Sequence, residues 1–310
     1  MQIRRWLPIV LAFILSIAHA DPSGSKTASG APPADWFHII QLDESTYAIS
    51  EPKYTQQNVS YLLVGRRSAL LFDTGPGVYS IHEVVNKLTH LPVLVLPSHL
   101  HFDHVGRIEE FSSIALVSTP DLRRQAADGL LSESPEQYLL LGKHEFRVSR
   151  WLSAGETLDL GERQITILST PGHTPDSVSV LDSDRQRIFT GDLLNRLGTL
   201  ADVPGSDIHQ MAESVARIAG IASTTASTVY EAHSQRPITV DEIKRASERV
   251  TQIAAGRGEW HPLCLDGVPA REYGTHDFVI IAPPESDQRL KPFRSLTAEI
   301  DWRETPCPSP

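Results

Sequence analysis

Four side chains able to hold a cation fall within six residues: His99, His101, Asp103 and His104, in the run Ser98-His99-Leu100-His101-Phe102-Asp103-His104-Val105-Gly106. Neutral imidazoles and a carboxylate suit a zinc-like ion. Ligand types recur later, each in a turn that follows an apolar stretch. His173 stands in Thr170-Pro171-Gly172-His173-Thr174, Asp192 in Thr190-Gly191-Asp192, and His233 in Glu231-Ala232-His233-Ser234. Asp73 has a like position in Asp73-Thr74-Gly75-Pro76-Gly77; an Asp before a Gly/Pro turn is, in isolation, ordinary turn chemistry. A single histidine in a loop carries little weight. Histidines and carboxylates at a series of equivalent strand ends carry more, because the strand ends of one sheet converge in space.

The elements that position these residues are legible as alternating patterns. Short apolar runs at His38–Ile40, Thr46–Ile49, Val59–Val64 and Ser68–Phe72, separated by turn residues, read as strands. Ser80–His90, with Ile81, Val84, Val85 and Leu88 at helical spacing, reads as a helix leading into strand Leu91–Leu96. A short helix is expected at Ile108–Phe111 and a strand at Ile114–Ser118. Residues 120–150 read as a polar helical stretch with an apolar patch at Leu139-Leu140-Leu141 and with His144 as a surface histidine. Strands follow at 157–160, 164–168, 178–181, 187–189 and 228–230. Helices are expected at 207–220, with Asp207 as N-cap, and at Val240–Ala255, with Thr239 as N-cap. The chain after Gly256 looks less regular, with one strand at Phe278–Ile281. Strands alternating with helices argue for α/β sheet layers covered by helices.

Composition narrows the class. The chain has 310 residues, 40% hydrophobic and 21% charged, with a net charge of −10, which suits one large globular domain or two small ones and offers no broad footprint for nucleic acid. Arg4-Arg5, an apolar run over 6–17 and Ala18-His19-Ala20 describe a signal peptide cut after Ala20. The expected location is therefore periplasmic or secreted, with no stable membrane insertion after cleavage. Residues 21–34, rich in Ser, Gly, Pro and Ala, read as a flexible linker. The expected divisions are 1–20 signal peptide, 21–34 linker, 35–282 a single catalytic domain and 283–310 an irregular tail. Cys264 and Cys307 could pair after export; the sequence does not decide their proximity.

Between Tyr47 and Arg236 the ordered series Asp73-Thr74-Gly75, His99-x-His101-x-Asp103-His104, Gly172-His173-Thr174, Gly191-Asp192 and Ala232-His233 resembles the metallo-β-lactamase superfamily. The resemblance implies an αββα sandwich of two mixed β-sheets flanked by helices, made of two similar halves with metals at one edge. It implies that His99, His101 and His173 hold one metal, that Asp103, His104 and His233 hold a second, and that Asp192 bridges both. Asp73 would orient a ligand histidine. The implied cofactor is a pair of Zn2+ ions, with iron or manganese as alternatives.

Two such ions lower the pKa of a shared water and polarise a substrate oxygen, so no serine or cysteine nucleophile is required. Asp103 is the candidate catalytic residue, orienting the nucleophile or passing a proton. Members that act as true β-lactamases generally lack a bridging carboxylate at the Asp192 position, whereas thioesterases, lactonases and phosphodiesterases of the superfamily carry one. The expected activity is hydrolysis of an ester, lactone or related acyl bond in a small-molecule substrate. The alternatives are β-lactam or phosphodiester cleavage at the same site, or an iron-dependent persulfide dioxygenase. A flavodiiron reading is disfavoured, since those proteins carry a carboxylate where His101 stands. A retired hydrolase scaffold that only binds metal is the non-enzymatic reading. Tyr79, Tyr138 and Tyr230 are tyrosines that could meet a substrate carbonyl. Substrate choice is expected in loops near 77–79, 120–150 and 195–206 and in the C-terminal tail.

Overall fold

The computed structural model describes residues 32–133, 144–196, 198–201, 205–225, 227–265, 268–274 and 278–282. The segments read as signal peptide and, for the most part, as linker, Leu139-Leu140-Leu141, Tyr138, residues 283–310 with Cys307, and the side chains of His144 and Cys264 lie outside the described residues.

The first half opens with β1 (His38–Asp43), β2 (Thr46–Ser50), β3 (Val59–Val64) and β4 (Ala69–Phe72), a continuous antiparallel run. Helix α1 (His82–Leu88) then crosses over, and β5 (Val93–Leu96) pairs parallel to β4. A four-residue helix α2 (Phe102–Val105) and a 3-10 turn at Ile108–Glu110 follow. β6 (Ala115–Val117) continues beside β5 through a bridge between Val95 and Ile114.

Helix α3 (Pro120–Gln125) is the only helical segment described within the 120–150 stretch, so the expectation of a helical insertion is corrected. Pro120 starts it and the Thr119 side chain caps it by accepting from the Leu122 N–H. After Gly129 the chain forms an antiparallel pair, β7 (Leu130–Glu133) and β8 (His144–Arg147). Leu131 faces Phe146 across that pair and both are buried, so period-two burial outweighs the local helical pattern. β9 (Arg150–Leu152) pairs parallel to β6.

The second half repeats the first. β10 (Thr157–Asp159), β11 (Gln164–Ser169), β12 (Val178–Asp182) and β13 (Arg187–Phe189) run antiparallel. After a 3-10 turn at Gly191–Leu193 and the short β14 (Thr199–Leu200), helix α4 (Ile208–Thr225) crosses over to β15 (Thr228–Tyr230), which pairs parallel to β13. α4 extends past residue 220, and Asp207 Oδ1 accepts from the backbone of His209 and Gln210 at its start. Helix α5 (Val240–Ala254) begins with a capping box between Thr239 and Glu242. After Gly256 the strand expected at Phe278–Ile281 is present at Val279–Ala282, and the chain before it is more regular than expected. β16 (His261–Leu265), β17 (Val268–Gly274) and β18 (Val279–Ala282) form a small sheet with β14. Pro262 and Pro269 conceal two of these strands from pattern reading, since proline gives no ladder N–H.

Alternation along the second sheet divides the core. Ile167, Val180, Phe189 and Tyr230 join the first sheet's Tyr61, Leu63 and Phe72 in one buried cluster. Their neighbours Ile188 and Val229 face α4, α5 and the small sheet in another. Two five-stranded sheets therefore meet face to face with helices outside, an αββα sandwich. β4 and β5 run in one direction, as do β11, β13 and β15. Their C-terminal ends meet at one edge, where Val178 N–H donates to Ser98 O at 2.8 Å.

Candidate metal centre

Every loop that carries a sequence-singled His or Asp leaves a strand at that edge. β4 delivers Asp73, β5 delivers the His99–His104 run, β11 delivers His173, β13 delivers Asp192 and β15 delivers His233. Gly191 adopts φ +56, and a Cβ there would collide with Ser98; glycine lets the Asp192 turn close against the His99 loop. The structure brings seven ligand-type side chains together in overlapping groups, His99/His101/His173, His99/His104/Asp192 and Asp103/His104/His233, with ligand atoms within 4.8 Å in each.

In the first group His101 Nδ1 lies 2.9 Å from both His99 Nε2 and His173 Nε2. In the Asp103/His104/His233 group, His104 Nε2 is 3.4 Å from Asp103 Oδ2, and His233 Nε2 is 3.7 Å from that oxygen. Asp192 reaches both groups: Oδ1 is 2.9 Å from His233 Nε2 and 3.4 Å from His104 Nε2, while Oδ2 is 3.8 Å from His173 Nε2.

The outer nitrogens settle the tautomers. His173 Nδ1 lies 2.7 Å from Leu200 O, His233 Nδ1 2.8 Å from Gln56 O, and His104 Nδ1 3.0 Å from Asp73 Oδ2. Carbonyl and carboxylate oxygens only accept, so each Nδ1 carries a proton, and each Nε2 of a neutral ring turns a lone pair inward. His99 Nδ1 meets Ser98 Oγ at 3.0 Å. Asp73 sits at φ +68 and also accepts from Ser98 N–H at 2.5 Å; the turn residue thus holds both the His104 ring and the start of the ligand loop.

Electrostatics separate the two groups. Burial, reinforced by the neighbouring rings, pushes His99 and His173 below the usual imidazole value and takes His101 down to about 3. These rings stay neutral and ready to donate lone pairs. Burial also opposes charge on His233, but Asp192 and Asp103 outweigh it and raise the ring to about 9; His104 is raised in the same way. Burial works against ionised Asp103 and Asp192, yet the two rings hold both carboxyls below their ordinary range. Buried carboxylates that draw positive charge in this way suit a divalent cation. His104 Nε2 and Asp192 Oδ1, both buried, have no hydrogen-bond partner among the described residues. Converging lone pairs, two ionised carboxylates and orphaned inward atoms fit one metal at His99/His101/His173 and a second at Asp103/His104/His233, with Asp192 between.

Other sequence candidates lie elsewhere. Tyr230 stacks on Phe189 and packs on Tyr61 in the core. Tyr79 packs edge-on against Trp36, with ring centres 4.7 Å apart. The structure adds residues that pattern reading missed: Ser98, the carbonyls of Gln56 and Leu200, and Asn58. Backbone acceptors leave no trace in residue type, and Asn58 looks like an ordinary turn residue before β3.

The sequence profile of the Metallo-beta-lactamase superfamily matches residues 54–229. The chain is 25% identical over 213 residues to the acyl-coenzyme A thioesterase MBLAC2 of Gallus gallus, covering 59% of this chain and 75% of that one. It is 27% identical over 166 residues to the hydroxyacylglutathione hydrolase GloC of Haemophilus influenzae, covering 52% and 77%. A solved metallo-beta-lactamase from Pontibacter korlensis superposes with a TM-score of 0.53 at 16% identity, over 69% of this chain and 99% of that one.

Proposed function

The chain belongs to the metallo-β-lactamase superfamily, and we propose that this metal-dependent hydrolase cleaves an acyl ester, lactone or thioester with two zinc ions. The observation that carries the reading is Asp192, one carboxylate with an oxygen turned to each ligand group. Similarity to a thioesterase and to a hydroxyacylglutathione hydrolase favours an acyl bond. When bound, a metal pair supplies an acidified water and Lewis-acid polarisation of the substrate oxygen.

The protein's own residues do the rest. Leu200 O, Gln56 O and Asp73 fix three imidazoles through their outer nitrogens, which raises ligand basicity and holds ring orientation. Asp103, ionised and buried beside His104 and His233, orients the attacking water and takes its proton. As the water oxygen bonds to the acyl carbon and the bond to the leaving oxygen or sulfur breaks, that proton passes to the leaving group. The signal-peptide pattern supports action outside the cytoplasm, which fractionation of the expressed full-length chain tests.

Metal analysis of purified protein, followed by a panel of thioesters, esters, lactones, phosphodiesters and β-lactams, tests the reading. Two zincs per chain and turnover of acyl substrates are expected. Asp192→Ala should lose one metal and at least about 100-fold in kcat. One iron per chain with oxygen consumption points instead to a dioxygenase, and zinc-loaded protein inert on the whole panel overturns the hydrolase reading.

A further inference from the structure

The two ligand groups are braced from different parts of the molecule. The first rests on Ser98 Oγ of its own strand-end loop behind His99 and on Leu200 O of β14 behind His173. The second draws on the turn between β2 and β3, residues 51–58. Gln56 O takes the outer nitrogen of His233. Asn58, buried at the end of that turn, gives its amide nitrogen to Asp103 twice: to the backbone oxygen at 2.9 Å and to the carboxylate Oδ2 at 3.0 Å. Both are acceptors, so the amide is oriented without ambiguity, nitrogen toward Asp103. Its own oxygen, Asn58 Oδ1, is buried with no partner among the described residues. A buried orphan acceptor costs stability. An apolar residue of the same size would avoid that cost and lose only the two bonds to Asp103.

We propose that Asn58 is a positioning residue for the second metal, holding the Asp103 carboxylate where it serves as a ligand. This rests on the two-metal reading above. Asp103 Oδ2 is the oxygen closest to His104 and His233, and it is the same oxygen that receives the Asn58 proton. One hydrogen bond to that oxygen leaves a lone pair free for a cation and restricts the freedom of the side chain to swing away. No comparable contact reaches His99, His101 or His173 from this turn among the described residues, so the effect should fall on one metal alone.

The test is titration of metal-free protein with Zn2+ against a competing chelator, for wild type, Asn58→Ala and Asn58→Leu, with Tm of each metal-free form as the measure of folding. Wild type should bind two zincs. Both variants should bind the second about 10- to 100-fold more weakly and the first within about threefold of wild type. Leu keeps the four-atom branched outline of the Asn side chain and removes the orphan acceptor but is bulkier, so Asn58→Leu should retain cooperative folding, with a Tm cost from overpacking, while still losing second-site affinity. A packing role predicts the reverse, with Leu restoring what Ala loses. Wild-type affinity at both sites in both variants, or equal weakening of both sites, overturns the proposal while leaving the two-metal reading intact. Fewer than two zincs on wild type overturns that reading and this one with it.

Discussion

Glu51 shows how a single residue near the centre ties stability to pH. It is buried, and Trp36 Nε1–H donates to its Oε2 at 2.6 Å. Burial raises its carboxyl from 4.5 to about 8, against the smaller pull of that hydrogen bond. Between those values the native state keeps a proton that the unfolded chain has lost, so stability falls as pH rises from about 4.5 to about 8. Glu51→Gln keeps an acceptor for Trp36 and removes the titration. Melting curves should show the variant gaining on wild type by roughly 5 °C between pH 5 and pH 8.5; a pH-independent difference would show that Glu51 is ionised in the fold. Burial of the Tyr54 phenol, with the charge of Asp103 nearby, likewise keeps it protonated, so the 51–58 turn presents protonated groups beside an anionic cluster.

At the scale of elements, the centre depends on how closely loops can approach. The turn after β4 and the helix α2 loop touch backbone to backbone: Gly106 N–H donates to Gly75 O at 2.9 Å, and Thr74 N–H to His104 O at 2.9 Å. A Cβ on Gly106 would collide with the backbone of Pro76 and Gly77, which no side-chain rotation relieves. Gly106→Ala should therefore cost about 1–3 kcal/mol and shift the His99–His104 loop. Thermal unfolding should show the loss, and zinc titration of the folded fraction should show weaker binding at both sites, in contrast to the one-site effect expected for Asn58. An unchanged Tm would mean that the two loops separate more easily than their hydrogen bonds imply.

Across the whole molecule, the two sheets are joined at the end opposite the metal centre by a buried arginine that is ion-paired within its own half and hydrogen-bonded to the other. Arg163 Nη2 meets Asp182 Oδ2 at 2.5 Å and Thr46 Oγ1 at 2.7 Å. Its Nη1 donates to Ser45 O at 2.8 Å and Val64 O at 3.0 Å. Arg163 thus joins the β1–β2 turn of one half to β11 and β12 of the other. Arg163→Ala leaves Asp182 buried without its partner and should cost about 3–5 kcal/mol. Denaturant unfolding measures that cost. Zinc stoichiometry of the folded variant should stay at the wild-type value, because the site's ligands leave the opposite strand ends. Loss of zinc alongside stability would show that the halves move as one lever.

Residue type and local pattern marked a strand-end series of ligand-type residues, because a histidine or aspartate after an apolar strand is a local property, and the resemblance of that series to a known superfamily implied the αββα sandwich. Pattern also foresaw the α5 capping box residue Thr239. It failed where burial across the sheet overrode it, as at Leu131 and Phe146, and where proline hid a strand, as at Pro262 and Pro269. Only the tertiary structure decided that Asp192 turns one oxygen to each ligand group, that Asp73 holds His104, and that a turn between β2 and β3 braces Asp103 and His233. The reason is physical: which nitrogen of an imidazole faces inward depends on the acceptor behind it, and those acceptors are backbone carbonyls and side chains brought from distant strands by sheet packing.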